Sequence, residues 1–132
     1  MTFIEVDGSI VMQPPAGGIS FTASGSIYKG QSVYIVDGYT VKVPTTNNQI
    51  MYGIAAYNTV DGDKVTVYSV GNIVKCKLSS SSTLSVGTKV GAIAGGYVSD
   101  SATYCSGAII TKTSTSNYGD GEILILGHGY SL

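Results

Sequence analysis

Short apolar runs with an alternating pattern recur along this chain, and glycine-containing turns separate them at short intervals. The segment YKGQSVYIVDGYTVKVP at residues 28–44 has both features, because two β-branched and tyrosine-rich runs flank the pair Asp37-Gly38. Apolar residues that alternate with a period of two indicate one face of a β-strand. No stretch sustains the period of 3.6 that an amphipathic helix requires. The sequence therefore predicts an all-β fold.

The pattern predicts about nine short strands and no helix. Asp37-Gly38 fits a two-residue type I′ turn, because aspartate and glycine tolerate the positive φ that both central positions require. Short strands separated by such turns are typical of a small β-barrel or a β-sandwich. The predicted strands span residues 32–36, 39–43, 49–57, 64–70, 73–78, 89–93, 97–99, 107–113 and 122–126.

A loose internal repeat runs through the sequence. Motifs of the first half have counterparts in the same order in the second half: GQSV (30–33) with GTKV (87–90), GY (38–39) with GY (96–97), and GIAA (53–56) with GAII (107–110). The order predicts a repeated supersecondary unit rather than a solenoid. The alternative is that Gly-x-x-Val is simply frequent in β proteins.

The first 25 residues differ in kind from the rest of the chain. Apolar residues at alternate positions are followed by Pro14-Pro15, which breaks a strand, and then by Gly17-Gly18. We predict an extended N-terminal arm over residues 1–20 and a single β-barrel domain over residues 21–132. An exposed apolar arm must find a partner. The residues predicted to contact that partner are Phe3, Ile4, Val6, Ile10, Val11 and Met12.

The composition limits the classes of partner. Charged residues make up 11% of the chain, hydrophobic residues make up 43%, and the formal net charge is −1. The basic residues are all lysines and are spread along the sequence, so they form no basic stripe for nucleic acid. No apolar run approaches the ~18 residues of a membrane span, and the start of the chain lacks the features of a secretory signal. We therefore expect synthesis in a cytoplasm and no binding to nucleic acid or membrane.

Residues with catalytic or metal-binding chemistry are few. His128 is the only histidine, and no Gly-x-Ser-x-Gly turn selects a serine nucleophile. Cys76 and Cys105 with one histidine fall short of the ligands of a structural zinc site. Their spacing does not decide between free thiols and a disulfide. We predict no catalytic residue, no cofactor and no metal site, and hence a protein that is not an enzyme.

Two further patterns have both a structural and a functional interpretation. Asp61-Gly62-Asp63 is similar to the start of a calcium loop, but the twelfth position is Asn72 rather than the required glutamate. A β-turn accounts for the same residues. The ten tyrosines are good strand residues whose default role is packing, although they also offer a surface on which a sugar can stack.

The glycine and β-branched motifs together resemble a known family. They are GQSVY at 30–34, GIA at 53–55 and GDKVTV at 62–67 followed by Gly71, with a second series of GTKV at 87–90, AGGYV at 94–98 and GAI at 107–109. Over about residues 21–126 this pattern resembles the capsid decoration, or cement, proteins of tailed bacteriophages. The tyrosine content, the serine run at 79–82 and the end GHGYSL depart from that family.

The resemblance implies a small β-barrel or β-tulip-like domain, commonly a homotrimer, on the outside of a virion. Its partner would be the major capsid protein, whose neighbouring subunits it would bridge to stabilise the shell. The family carries no catalytic residues. One alternative is a fibre, spike or adhesin module that binds a receptor or glycan, and another is a small β-barrel hydrolase that uses His128.

Overall fold

The computed structural model describes residues 18–80, 84–105 and 107–127, which form ten strands and no helix. The predicted all-β fold is confirmed. The strands are β1 (Ile19–Ala23), β2 (Ser32–Asp37), β3 (Thr40–Lys42), β4 (Gly53–Ala55), β5 (Lys64–Tyr68), β6 (Ile73–Leu78), β7 (Lys89–Ala92), β8 (Val98–Ser99), β9 (Ala108–Lys112) and β10 (Gly119–Ile125).

The strands close into two five-stranded barrels rather than one barrel of nine strands. We call β1 to β5 the first barrel and β6 to β10 the second barrel. The order around the first barrel is β1-β3-β2-β4-β5, and the order around the second is β6-β8-β7-β9-β10. In each barrel the first and third strands pair in parallel and every other pair is antiparallel. The two halves of the chain therefore share one topology.

Hydrogen bonds at matching positions confirm that the whole barrel is duplicated. Gly30 N donates to Ala55 O at 3.0 Å in the first barrel, and Gly87 N donates to Ile110 O at 2.8 Å in the second. These two glycines have φ values of +90° and +89°, in the left-handed region that disfavours other residues. The motifs GQSV and GTKV thus mark the same turn in each repeat.

The strand register shows that the predicted match of GIAA with GAII is displaced by one residue. Val33 pairs with Gly53 in the first barrel, whereas Val90 pairs with Ala108 in the second. The counterpart of Gly53 is therefore Ala108 and not Gly107. The sequence alone matches glycine with glycine, because it does not show which residues face each other across neighbouring strands.

Each of the nine predicted strands overlaps a strand of the structure, and β1 is the additional one. Ile19 of β1 pairs with Val67 of β5, and Ala23 pairs in parallel with Val41 of β3. This strand closes the first barrel. It was not predicted because it directly follows the proline- and glycine-rich segment that was assigned to the arm.

The predicted type I′ turn at Asp37-Gly38 is wrong. Asp37 pairs with Thr40, so the connecting residues are Gly38 and Tyr39, and neither has a positive φ. The register of β2 against β3 shifts between Ile35 and Asp37, which is a β-bulge. A bulge adds one residue to a strand, and this extra residue moves the turn along the chain.

The apolar side chains form one cluster inside each barrel, and the first barrel also contributes to the second cluster. The first cluster consists of Phe21, Ala23, Ile27, Val33, Val41, Ala55, Val65 and Val67. Met51 and Ile54 belong to the first half of the chain but pack with the core of the second barrel, and both are fully buried. The two barrels therefore bury apolar surface against each other, which favours their association.

Candidate functional site

A hydrogen-bonded seam holds the two barrels together. Ser32 N of β2 donates to Gly96 O at 2.8 Å, and Gln31 Nε2 donates to Gly95 O at 3.0 Å. Gly95 N in turn donates to Pro44 O at 2.9 Å. Ser32 is fully buried, so its backbone N–H needs this partner. These hydrogen bonds hold the two barrels in one relative orientation, so a surface to which both barrels contribute has a defined shape.

Asn47 extends the seam into the loop between β3 and β4. Its Oδ1 accepts from Ala94 N at 3.0 Å, and its backbone oxygen accepts from Thr103 N at 2.8 Å. Both donors belong to loops of the second barrel. The segment that carries Asn48 and Gln49 is thereby positioned against Tyr104.

The β2–β3 hairpin carries an exposed apolar surface. Ile35, Val36 and Tyr39 are 42%, 47% and 80% exposed. β4 pairs only with Ser32 and Val33 of β2, so the outer part of β2 has no strand beside it on that side within the described residues. A strand with an unpaired edge and exposed apolar side chains is a place where another chain can pair.

A second exposed apolar surface lies where the chain passes from the first barrel to the second. Val70, Ile73 and Leu126 are 55%, 61% and 50% exposed. Gly71 N donates to Ile125 O at 2.8 Å, and Ile73 is paired with Leu124 of β10. These contacts bring the three side chains to one end of the β6–β10 pair.

The two cysteines are free thiols in different environments. Cys76 on β6 is buried in the core of the second barrel, and Cys105 is partly buried in the β8–β9 loop. Burial, with a smaller contribution from the charge of Asp120, raises the pKa of the Cys76 thiol to about 12. Burial also raises the pKa of Cys105. Neither thiol is activated as a nucleophile, which requires a lowered pKa.

Two aspartates, Asp61 and Asp120, have structural roles. Asp61 Oδ1 accepts from Gly25 N at 2.7 Å and so joins two turns of the first barrel, which accounts for the sequence DGD without a metal. Asp120 pairs with Lys77 at 2.6 Å across the β6–β10 pair, and this hydrogen bond and the Lys77 charge lower its pKa. Within residues 18–80, 84–105 and 107–127, no group of three His, Cys, Asp or Glu side chains is placed to hold a metal ion.

Several predicted residues lie outside the described part of the chain. They are the six arm residues Phe3, Ile4, Val6, Ile10, Val11 and Met12, together with His128. Their predicted roles stay predictions. Among the described residues, none belongs to a helix of the length and hydropathy needed to cross a membrane.

One feature that the sequence did not predict is the strained residue Tyr118. Its φ of 57° is the one positive value among the described non-glycine residues, and this conformation costs about 1–2 kcal/mol for an L-residue. Its ring packs edge-on against Tyr97 with centroids 4.7 Å apart. No sequence signal identifies this position, because a turn residue with a positive φ is usually glycine or asparagine and this one is tyrosine.

Comparisons with known proteins identify the fold. No family model and no curated protein matches this chain. Among solved structures, it is similar to the N base of the head fibre protein gp8.5 of bacteriophage phi29. The TM-score is 0.64, the sequence identity is 12%, and the match covers 86% of this chain and 97% of that chain. At this identity the likeness concerns the fold, which this chain shares with a structural component of a phage head.

Proposed function

We propose that this protein is a structural component of a virus particle that binds the outside of the capsid. The observation that carries the proposal is the fold likeness to the base of a phage head fibre, which spans nearly all of that chain. The sequence motifs, which resemble those of phage decoration proteins, support it independently. In this proposal the protein binds and does not catalyse, and it needs no cofactor.

The more specific proposal is capsid decoration. The protein binds the major capsid protein as a homotrimer, bridges neighbouring subunits and stabilises the shell by mass action, since it binds the assembled lattice and not its separated parts. A standard interface buries about 800 Å² on each partner. Repetition over many symmetric copies adds avidity to each such contact.

The surface that we assign to the capsid is the β2–β3 hairpin. Ile35, Val36 and Tyr39 project apolar surface there, beside the unpaired outer edge of β2. The predicted arm, through Phe3, Ile4, Val6, Ile10, Val11 and Met12, adds a strand to a sheet edge of the capsid. If deletion of residues 1–15 left capsid binding unchanged, this role of the arm would be wrong.

A second candidate function is the base of a head fibre, which the fold neighbour supports directly. The two candidates differ in what the bound domain carries. A fibre base holds a fibre that projects from the particle, whereas a decoration protein covers the shell without one.

The test is co-sedimentation of the purified protein with capsids of its own virus that lack it, followed by quantitative mass spectrometry. We expect saturable binding that the double variant Ile35→Ser, Tyr39→Ser weakens at least tenfold. The control is the double variant Val60→Ser, Val86→Ser, which removes similarly exposed apolar side chains (62% and 66%) elsewhere. Absence of co-sedimentation contradicts both candidates. Electron microscopy of virions decides between them, because it shows whether a fibre projects from the sites that this protein occupies.

A further inference from the structure

A cavity lies between the outer part of β2 and loops of both barrels. Its volume is about 480 Å³, within the range of about 300–1,000 Å³ that is usual for sites of small ligands. Its walls are formed by Tyr34, Tyr52, Tyr104, Asn48 and Gln49, with isoleucine side chains between them. Tyr104 belongs to the second barrel and the others to the first, so the site exists because the two barrels are joined.

The two amide side chains have their oxygens occupied and their nitrogens unpaired. Gln49 Oε1 accepts from Thr45 N at 2.9 Å and from Thr46 N at 3.4 Å. Because both donors are backbone N–H groups, the atom that faces them is the oxygen. Asn48 Oδ1 accepts from the Thr46 hydroxyl. Gln49 Nε2 and Asn48 Nδ2 have no protein acceptor among the described residues, so four N–H donors are available to a ligand.

One aromatic wall, Tyr52, and the loop with the two amides are held in place before any ligand binds. The Tyr52 ring packs edge-on against Phe21 with centroids 5.1 Å apart, and Tyr52 N donates to Val33 O at 2.9 Å. The loop with the two amides is fixed by the contacts of Asn47 with Thr103 and Ala94. A preformed site loses less conformational entropy on binding.

None of the described residues that line the cavity has a charged side chain. A charged ligand would lose its hydration there without gaining an opposite charge, which is unfavourable. The complementary ligand is neutral, has apolar faces for the tyrosine rings and has oxygen acceptors for the amide nitrogens. We propose that this cavity binds a neutral carbohydrate of about one or two sugar rings. A proline-rich peptide also packs on tyrosines, but it has no hydroxyl groups to donate to the Tyr34 oxygen as a sugar can.

The test starts from an array of neutral and anionic oligosaccharides together with a decaproline peptide. Each neutral glycan retained is then titrated into ¹⁵N-labelled full-length protein, and the side-chain amide resonances of Asn48 and Gln49 are followed. We expect saturable shifts of both resonances. The variants Asn48→Asp and Gln49→Glu keep the oxygens that Thr45 and Thr46 need but remove the donors, so each weakens binding by about tenfold or more.

The matched control is Asn58→Asp. Asn58 is exposed, its Oδ1 accepts from the backbone N of Lys29 at 2.9 Å, and it lies outside the cavity lining. This variant adds the same charge and keeps its own acceptor, so glycan binding is unchanged. Tyr34→Ala supplies a second variant, which weakens binding by removing a stacking ring. The proposal is overturned if no neutral glycan binds, if only anionic glycans or decaproline bind, or if Asn48→Asp and Gln49→Glu bind as the control does.

Discussion

Gly96 lies where the two barrels meet, and replacing it with alanine tests the seam directly. Its carbonyl oxygen accepts from Ser32 N at 2.8 Å. Its φ is +82°, and a Cβ added to it would lie 2.8 Å from the Cβ of Gln31. Gln31 cannot retreat freely, because its Oε1 accepts from Tyr28 N at 2.7 Å and its Nε2 donates to Gly95 O at 3.0 Å.

The expected loss of stability in Gly96→Ala has two parts. The left-handed backbone costs about 1–2 kcal/mol for any residue with a Cβ. Displacing the Gln31 side chain breaks one or both of its hydrogen bonds to Tyr28 N and Gly95 O, at about 0.5–1.5 kcal/mol each. The free energy of unfolding should therefore fall by about 1.5–5 kcal/mol. Gly87→Ala is the matched control, because Gly87 has a φ of +89° but its added Cβ meets nothing within 4 Å. It should lose about 1–2 kcal/mol only.

Urea unfolding, monitored by near-ultraviolet circular dichroism of the tyrosines, measures both variants on the same scale. If the seam couples the barrels, Gly96→Ala also broadens the transition or splits it in two, whereas Gly87→Ala keeps a single transition. Equal destabilisation by the two substitutions, with unchanged cooperativity, would refute the inference that the Gln31 and Gly96 contact holds the barrels together.

Two further predictions concern titratable groups. The pKa of Cys76 is raised from 9.0 to about 12 in the folded protein, so the thiol loses its proton at lower pH in the unfolded chain. The contribution of this thiol to stability is therefore complete below pH 9 and falls above it by up to about 1.4 kcal/mol per pH unit. In urea unfolding between pH 8 and pH 10.5, the free energy of unfolding should decline less steeply in Cys76→Ala than in the unsubstituted protein. Lys77 and Asp120 form an exposed ion pair, so Lys77→Ala should lower the urea midpoint only slightly, and 1 M salt should remove that difference. A difference that does not depend on salt would contradict the role of the ion pair.

The strand pattern was predictable from the sequence, but the number of barrels was not. Alternation shows which face of a strand is buried, and this information located nine of the ten strands. It does not show which strands pair. Closure of the first barrel depends on β1 pairing with β5, where Ile19 meets Val67, a contact that no local signal encodes. The repeated glycine motifs indicated the duplication, because the left-handed turn at Gly30 recurs at Gly87.

The cavity was less predictable than the fold. Its walls combine β2, the β3–β4 loop and the β8–β9 loop, so its residues become neighbours only through the seam. The sequence offered tyrosines with packing as the default role, and Tyr52 does pack on Phe21. The decisive feature is the direction of the Asn48 and Gln49 amides. That direction is set by hydrogen bonds to Thr45 and Thr46 and has no sequence signal.

The two repeats differ at a register position that, in the first barrel, packs against the second barrel. Ser32 and Lys89 occupy the same register position, since Ser32 pairs with Ile54 and Lys89 pairs with Ile109. Ser32 is fully buried by the second barrel, whereas Lys89 is exposed. A third barrel stacked on β7 in the same way would bury the Lys89 ammonium, which is costly unless a partner charge comes with it. The lysine therefore disfavours the stacking of a further barrel on β7 by this geometry.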